Sequence, residues 1–150
     1  MPERPSFPTI YMTLARALAA RSSCEVEPVG TVITSVDFRK VLAIGYRGNA
    51  SGLPNRCDRD GDSCGCLHAE ENAIIHCDAP RSEPKIVFCS KMPCRMCAKR
   101  LINLGGAQDL YLPAAPAALH VPAAEGDASA EAHAVIDLLG SVGIRVHAVP

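Results

Sequence analysis

The sequence has no tryptophan and few other aromatic residues. Among its 150 residues there are only three tyrosines and three phenylalanines. Proteins that hold single-stranded DNA or RNA use aromatic side chains as surfaces on which the bases stack. The scarcity of these side chains argues against a polynucleotide ligand.

An excess of basic residues is also missing. The chain has 15 Lys and Arg against 16 Asp and Glu, which gives a formal net charge of −1. Domains that bind the polyanionic backbone of a nucleic acid are usually basic. The charge therefore favours a small ligand and makes a nucleic-acid partner improbable.

No apolar run approaches the roughly 20 residues that cross a bilayer. The N-terminal segment MPERPSFPTI shows no charged region followed by an apolar one, as a secretory signal would. We therefore expect a cytoplasmic protein without a membrane partner. In that reducing compartment, the eight cysteines are expected to be metal ligands or free thiols rather than disulfides.

The length and the hydrophobic pattern predict one α/β domain over residues 1–150. The first helix is predicted from about Thr9 to Ser22, with Ile10, Leu14, Ala17 and Leu18 on its buried stripe. The predicted order of elements is α-β-β-α-β-α-β-α-β, with a long loop over residues 47–66 and a loose connection over 113–128. Strands that alternate with helices imply a mixed sheet covered on both faces.

Two short segments carry the strongest chemical signal. The first is His68-Ala69-Glu70, and the second is Pro93-Cys94-Arg95-Met96-Cys97. The 22 residues between them suffice for a helix, a turn and a strand. Cys94 and Cys97 are three apart at a predicted helix start, so their thiolates can converge on one ion, with His68 as a third ligand.

Three protein ligands are typical of a catalytic zinc, because the fourth position stays open for a water molecule whose pKa the metal lowers. Glu70 is a poor fourth ligand here and is expected to take the proton of that water and deliver it to the substrate. The alternatives are a closed zinc site with a fourth ligand from elsewhere and a redox C-x-x-C pair. A redox pair would not need His68 and Glu70.

These residues resemble the cytidine and deoxycytidylate deaminase superfamily, and within it the dCMP deaminases. The resemblance runs from about Tyr11 to Gly106. Its segments are Arg21-Ser22-Ser23-Cys24, Val29-Gly30-Thr31-Val32, Gly45-Tyr46-Arg47-Gly48, Ser51-Gly52-Leu53-Pro54, His68-Ala69-Glu70-Glu71-Asn72-Ala73-Ile74 and Pro93-Cys94-Arg95-Met96-Cys97-Ala98-Lys99. Only the two zinc segments are highly specific.

The resemblance implies a three-layer α/β/α fold with a five-stranded mixed sheet and zinc between the starts of two helices. It implies hydrolysis of dCMP to dUMP. Separately, Ala69, Ser90, Met92 and Pro93 lie in or just before the two zinc segments, so they are predicted to line the substrate pocket, with plain loop geometry as the alternative for Ser90 and Met92. The resemblance further implies a homo-oligomer, commonly a hexamer. Regulation by dCTP and dTTP is implied as well, with Mg²⁺ assisting the triphosphate.

The chain departs from the family at two places. Arg47 stands where the family usually has an asparagine that holds the nucleotide, so either Asn49 takes that role or Arg47 contacts a phosphate. After Tyr111, the segment PAAPAALH replaces an expected tyrosine-bearing one. A free nucleoside, a triphosphate, a modified cytosine nucleotide and a polynucleotide are therefore alternative substrates, and a non-catalytic zinc-stabilised subunit is the alternative from another class.

Four further cysteines lie near the long loop, namely Cys24, Cys57, Cys64 and Cys66. Together they could bind a second, structural zinc ion through four sulfurs and so fix the loop. The alternative is a set of unrelated free thiols. Cys77 and Cys89 are expected to be small core residues.

Overall fold

The computed structural model describes residues 2–114 and 128–150, so most of the predicted connection over 113–128 lies outside the described residues. The helices are α1 (Phe7–Ala20), α2 (Ala69–Ile75), α3 (Arg95–Leu104) and α4 (Ala128–Ser141). The strands are β1 (Gly30–Ser35), β2 (Val41–Tyr46), β3 (Arg59–Asp60), β4 (Ser63–Cys64), β5 (Lys85–Cys89), β6 (Ala107–Pro113) and β7 (Arg145–Val149).

Five strands form one mixed sheet in the order β2-β1-β5-β6-β7. Strand β1 pairs antiparallel with both β2 and β5, whereas β5, β6 and β7 run parallel to one another. Parallel neighbours need a crossover connection. Helix α3 links β5 to β6, and α4 lies between β6 and β7 along the chain.

Helices cover both faces of this sheet. Alternate residues of a strand point to opposite faces, so Phe88 packs with Met12 of α1 while Val87 packs with Leu101 of α3 and Leu139 of α4. Helix α1 lies on one face, and α2, α3 and α4 share the other. This arrangement confirms the predicted three-layer α/β/α fold with a five-stranded mixed sheet.

Two glycines let helices approach the sheet closely. A Cβ at Gly30 would come within 2.0 Å of the Ala15 carbonyl oxygen, and one at Gly45 within 2.3 Å of the Ala69 carbonyl oxygen. Helix α2 therefore lies directly against β2, and this contact fixes the distance between the start of α2 and the sheet.

Helix α1 differs from the prediction in its start and in its buried stripe. It begins at Phe7 because Ser6 caps it, with the Ser6 hydroxyl accepting from the Thr9 N–H. The buried residues are Met12, Ala15 and Leu18. The predicted stripe was wrong at Ile10, which is 45% exposed, and at Ala17, because the helix turns a neighbouring row of side chains toward the sheet.

A two-stranded ribbon of β3 and β4 lies within the long loop and was not predicted, because strands of two residues leave no periodic pattern. Within residues 2–114 and 128–150, none of the helices has the length and apolarity that crossing a bilayer would require.

Candidate metal centre and adjoining cavity

His68, Cys94 and Cys97 come together between the starts of α2 and α3. His68 is the N-cap residue of α2, Cys94 is the N-cap residue of α3, and Cys97 lies in the first turn of α3. The His68 Nδ1 atom lies 3.3 Å from the Cys97 sulfur and 3.7 Å from the Cys94 sulfur. Each residue offers one ligand atom, and these atoms all lie within 4.8 Å of one another.

Hydrogen bonds hold the two helix starts in this position. The Cys97 N–H donates to the Cys94 sulfur at 3.4 Å, and the His68 N–H donates to the Glu71 carboxylate at 2.9 Å. Glu71 also forms an ion pair with Arg100 of α3 at 3.0 Å. The carboxylate of Glu71 therefore links the backbone at His68 to the helix that carries both cysteines.

The electrostatics of this group favour a bound cation. Cys97 is buried, and burial, together with the nearby Glu70 carboxylate, raises the pKa of its thiol far above the usual range. Holding a thiolate there would require a compensating positive charge. One imidazole nitrogen and two sulfurs are donors that Zn²⁺ prefers, so the residues fit this ion.

Glu70 points its carboxyl group toward the same place. It is only 3% exposed and lies within hydrogen-bonding reach of Cys97. Burial raises the pKa of Glu70 above the usual value for a glutamate. A carboxyl group that is easily protonated is suited to accept a proton and pass it on.

A cavity of roughly 230 Å³ opens beside these residues. Four of the predicted substrate contacts line it, namely Arg47, Ala69, Met92 and Pro93. Its wall also contains residues that the sequence analysis did not identify, namely Glu27, Val29, Glu131, Ala132 and Val135. The last three belong to α4, which is distant from the motifs along the chain.

Two predicted substrate contacts lie elsewhere. The Ser90 hydroxyl accepts a hydrogen bond from the Gly30 N–H at 2.9 Å, so it joins β1 to the end of β5. Asn49 lines a separate depression, where its side chain accepts from the Ala50 N–H and donates to the Pro54 carbonyl. Neither residue lines the cavity beside His68.

Glu27 and Arg47 form an ion pair at the cavity wall. The Arg47 Nη1 atom lies 3.2 Å from one Glu27 oxygen, and the Lys91 Nζ atom lies 3.5 Å from the other. The Arg47 side chain is 11% exposed, and its buried Nε has no hydrogen-bond partner among the described residues. A buried donor without a partner is costly, so other interactions must hold the Arg47 side chain in this position.

The four loop cysteines also converge. The Cys64 sulfur lies 3.6 Å from that of Cys24 and 3.4 Å from that of Cys57, and the Cys66 sulfur lies 3.7 Å from that of Cys57. The Cys66 N–H lowers the pKa of Cys64 to about 6, whereas burial raises the pKa of Cys66 to about 12. Four sulfurs this close together have the donor set of a structural zinc site.

The two remaining cysteines lie in or against the core. Cys89 is fully buried, and this burial raises the pKa of its thiol well above the usual value. Cys77 is half-buried and packs against the same core cluster. Both positions agree with the expectation that these residues fill space.

Comparison with known proteins decides the family. Residues 6–112 match the family model described as the cytidine and deoxycytidylate deaminase zinc-binding region. The deoxycytidylate deaminase of Saccharomyces cerevisiae is 36% identical over 121 residues, which cover 72% of this chain. This chain belongs to the cytidine and deoxycytidylate deaminase family. The matched range contains both zinc segments and the four loop cysteines but ends before α4.

The chain spans little more than a third of the two fungal relatives. The match covers 38% of the Saccharomyces cerevisiae protein and 37% of the deoxycytidylate deaminase of Schizosaccharomyces pombe, which is 33% identical over 122 residues. Among solved structures, the dCMP deaminase of cyanophage S-TIM5 in complex with dCMP and dUMP has a similar fold. Its TM-score is 0.74 at 24% identity, with 98% of this chain and 99% of that chain covered.

Proposed function

We propose that the chain is a single zinc-dependent deaminase domain that hydrolyses the exocyclic amino group of a cytosine nucleotide. The leading reaction is dCMP plus water to dUMP plus ammonia. The observation that carries this proposal is the convergence of His68, Cys94 and Cys97 beside the buried Glu70 at one cavity. Membership of the deaminase family supports the same reaction class.

The side chains divide the work of this reaction. His68, Cys94 and Cys97 hold Zn²⁺, which when bound supplies an activated water molecule at neutral pH. Glu70 accepts one proton from the attacking water and delivers it to the ring nitrogen, and it then carries the second proton of that water to the leaving amine. A C–O bond forms at the ring carbon, the C–N bond breaks, and ammonia leaves.

Arg47 is the proposed contact for the substrate phosphate. Arg47 lines the cavity, and an arginine can bind a phosphate through two parallel hydrogen bonds. Glu27 already occupies Nη1 of Arg47 and also pairs with Lys91. A phosphate group must therefore compete with the Glu27 carboxylate for these two cations.

Replacing Glu27 by glutamine is expected to lower KM for dCMP by about three- to tenfold, which corresponds to the roughly 1 kcal/mol between two charges about 4 Å apart that water screens well. The variant removes a negative charge that opposes the phosphate, while its amide oxygen keeps the shape of the side chain. Steady-state kinetics with dCMP and with deoxycytidine measure the effect, since the uncharged nucleoside should show no comparable gain. An equal change for both substrates would contradict the competition.

The pairing of Glu27 with Arg47 also favours a second candidate, a deaminase of the free nucleoside. Glu27 and Glu131 both line the cavity, and Glu27 neutralises the cation that a phosphate would need. Carboxylates bind hydroxyl groups well, so these two could receive a sugar instead.

A turnover screen separates these candidates. Ammonia release from the purified zinc protein would be followed with cytidine, deoxycytidine, CMP, dCMP, dCTP, their 5-methyl forms and a cytosine-containing DNA oligomer. Preference for dCMP supports the leading reaction, and preference for deoxycytidine supports the second candidate. Turnover of the oligomer alone, or of none of these compounds, overturns the proposal.

We also propose that Cys24, Cys57, Cys64 and Cys66 bind a second, structural Zn²⁺. Metal analysis of the purified chain is expected to give two zinc ions per chain, because both groups of donors lie close enough to share an ion. The matched variant is Cys57→Ser, which should keep one zinc and lose the other. A wild-type value of one zinc per chain would contradict the structural site.

Assembly, regulation and location complete the proposal. The edge strand β2 and helix α2 expose apolar side chains, with Val41 47%, Ile44 44% and Ile75 66% exposed, which supports a homo-oligomer formed through this side. A cytoplasmic location is proposed because free thiols persist in a reducing compartment. Regulation by dCTP or dTTP with Mg²⁺ is proposed from the family resemblance alone.

A further inference from the structure

Arg47 lies between the four-cysteine cluster and the cavity. It follows β2 directly, and its side chain lines the cavity with His68 and Glu70. Burial lowers the pKa of Arg47, but the neighbouring Cys24 and Cys64 sulfurs and the Glu27 carboxylate outweigh that effect and raise it. The guanidinium is therefore in electrostatic contact with the cluster on one side and with the cavity on the other.

The backbone around Cys24 holds both members of the cavity ion pair. The Ser22 hydroxyl donates to the Arg47 carbonyl and accepts from the Cys24 N–H at 3.1 Å. The Glu27 N–H donates to the Cys24 sulfur at 3.5 Å. A change in the position of Cys24 would therefore move Arg47 and Glu27 together.

The other end of the cluster, at Cys66, lies close along the chain to the candidate zinc ligand His68. Cys66 precedes His68 by two residues, and the intervening Leu67 pairs with Gly48 through two backbone hydrogen bonds of 2.8 and 3.2 Å. Gly48 is the residue after Arg47. The cluster is thus continuous with the cavity wall rather than a remote part of the loop.

A metal-occupied cluster would carry a negative charge beside Arg47. Four thiolates and one Zn²⁺ carry a net charge of −2, and a cation beside the sulfurs offsets part of it. Groups that contact metal ligands orient them and tune the metal, and changing such groups typically lowers metal affinity by about 10- to 100-fold. Arg47 is a largely buried cation that the backbone links at Ser22 and Leu67 hold beside the cluster.

We infer that the loop metal and Arg47 position one another, so that an occupied four-cysteine site holds the guanidinium at the substrate cavity. This inference rests on the proposed second metal and on the proposed phosphate contact. Coupling between two sites is reciprocal. Loss of Arg47 should weaken the loop metal, and loss of the loop metal should weaken substrate binding.

The first test measures zinc release from the intact protein to a colorimetric chelator. Wild type should show two phases, and the phase missing in Cys57→Ser identifies the loop zinc. Arg47→Gln is expected to release the loop zinc about tenfold faster while the catalytic zinc leaves at the wild-type rate. Lys91→Gln is the matched control, because Lys91 pairs with the same Glu27 carboxylate, whereas none of the hydrogen bonds of the cluster sulfurs among the described residues involves it.

The second test measures the effect in the other direction. Cys57→Ser is expected to raise KM for dCMP by about tenfold, with kcat within about twofold of wild type. The double variant that carries both Cys57→Ser and Arg47→Gln should have the same KM as Arg47→Gln alone, because both changes disrupt one coupled unit. Met12→Ala, a core change on the opposite face of the sheet, controls for lost stability, and its KM should stay unchanged.

The possible outcomes test the coupling, the loop metal site and the substrate separately. Unchanged zinc release in Arg47→Gln, or multiplicative effects in the double variant, overturns the coupling. A single zinc in the wild type overturns the loop site on which the coupling depends. If the wild type does not turn over dCMP, the proposed substrate is wrong. The zinc-release experiment does not depend on the substrate, so it still tests whether Arg47 stabilises the loop metal.

Discussion

Replacing Glu70 by glutamine is expected to leave the chain folded and zinc-bound but to lower kcat by about 10³-fold. The expected size follows from the 10²- to 10⁴-fold contribution that a positioned proton-transfer group makes. Glutamine has nearly the same shape as glutamate but cannot accept and release a proton. Because Glu70 is 3% exposed beside Cys97, bulk water has poor access to replace it as the proton carrier.

Zinc content and the melting temperature of Glu70→Gln show whether the loss is chemical. If the variant loses the catalytic zinc, Glu70 acts in metal binding and the proposed proton transfer lacks support. If it keeps zinc and retains more than a tenth of the wild-type kcat, the proton is carried by another group.

Glu71→Gln is the matched control for this prediction. Its side-chain oxygen can still accept the His68 N–H, while the ion pair with Arg100 is weakened. We expect a change of only a few-fold in kcat, because surface ion pairs contribute about 0.2–1 kcal/mol. The contrast between two adjacent glutamates therefore separates proton transfer from helix positioning.

The convergence of the candidate metal ligands could be predicted from the sequence because much of their geometry is local. Cys94 and Cys97 sit at the start of one helix, where a spacing of three puts both sulfurs on the same side. His68 caps the preceding helix, α2, in the same way. The fold class could be predicted for a similar reason. Hydrophobic residues repeat with a different period in strands and in helices, and the alternation of strands with helices limits the possible topologies of the sheet.

The rest of the cavity depends on contacts that no local pattern reports. Glu131 reaches it from α4, which begins 24 residues after Leu104 along the chain, and Glu27 shows no spacing that would connect it to Arg47. Asn49 shows that a short motif match does not give the position of a side chain. A motif suggested a nucleotide contact, but its amide forms local hydrogen bonds in a turn, as asparagine often does.

The hydrophobic pattern of the sequence does not explain Lys85, a charged residue in a buried strand. Changing Lys85 should have a large effect on stability. It begins the buried strand β5 and is fully buried, although lysine is among the residues that are seldom buried. Its ammonium donates to the carbonyls of Pro80, Glu83 and Gly105 at 2.7, 2.9 and 2.9 Å. One side chain thus connects the turn before β5 to the turn that ends α3.

Lys85→Met should therefore lower the free energy of unfolding by about 3 kcal/mol. The methionine fills the space but leaves the Glu83 and Gly105 carbonyl oxygens without their donor, and each unsatisfied group costs about 1–3 kcal/mol. The Pro80 oxygen keeps its hydrogen bond from the Glu83 N–H. Removing the desolvated ammonium offsets part of that loss. For a chain of this size, the melting temperature should fall by roughly 6–12 °C. Lys40→Met, at an exposed position, should change stability by no more than about 0.5 kcal/mol. If both variants melt within about 2 °C of each other, the three hydrogen bonds of Lys85 do not stabilise the fold.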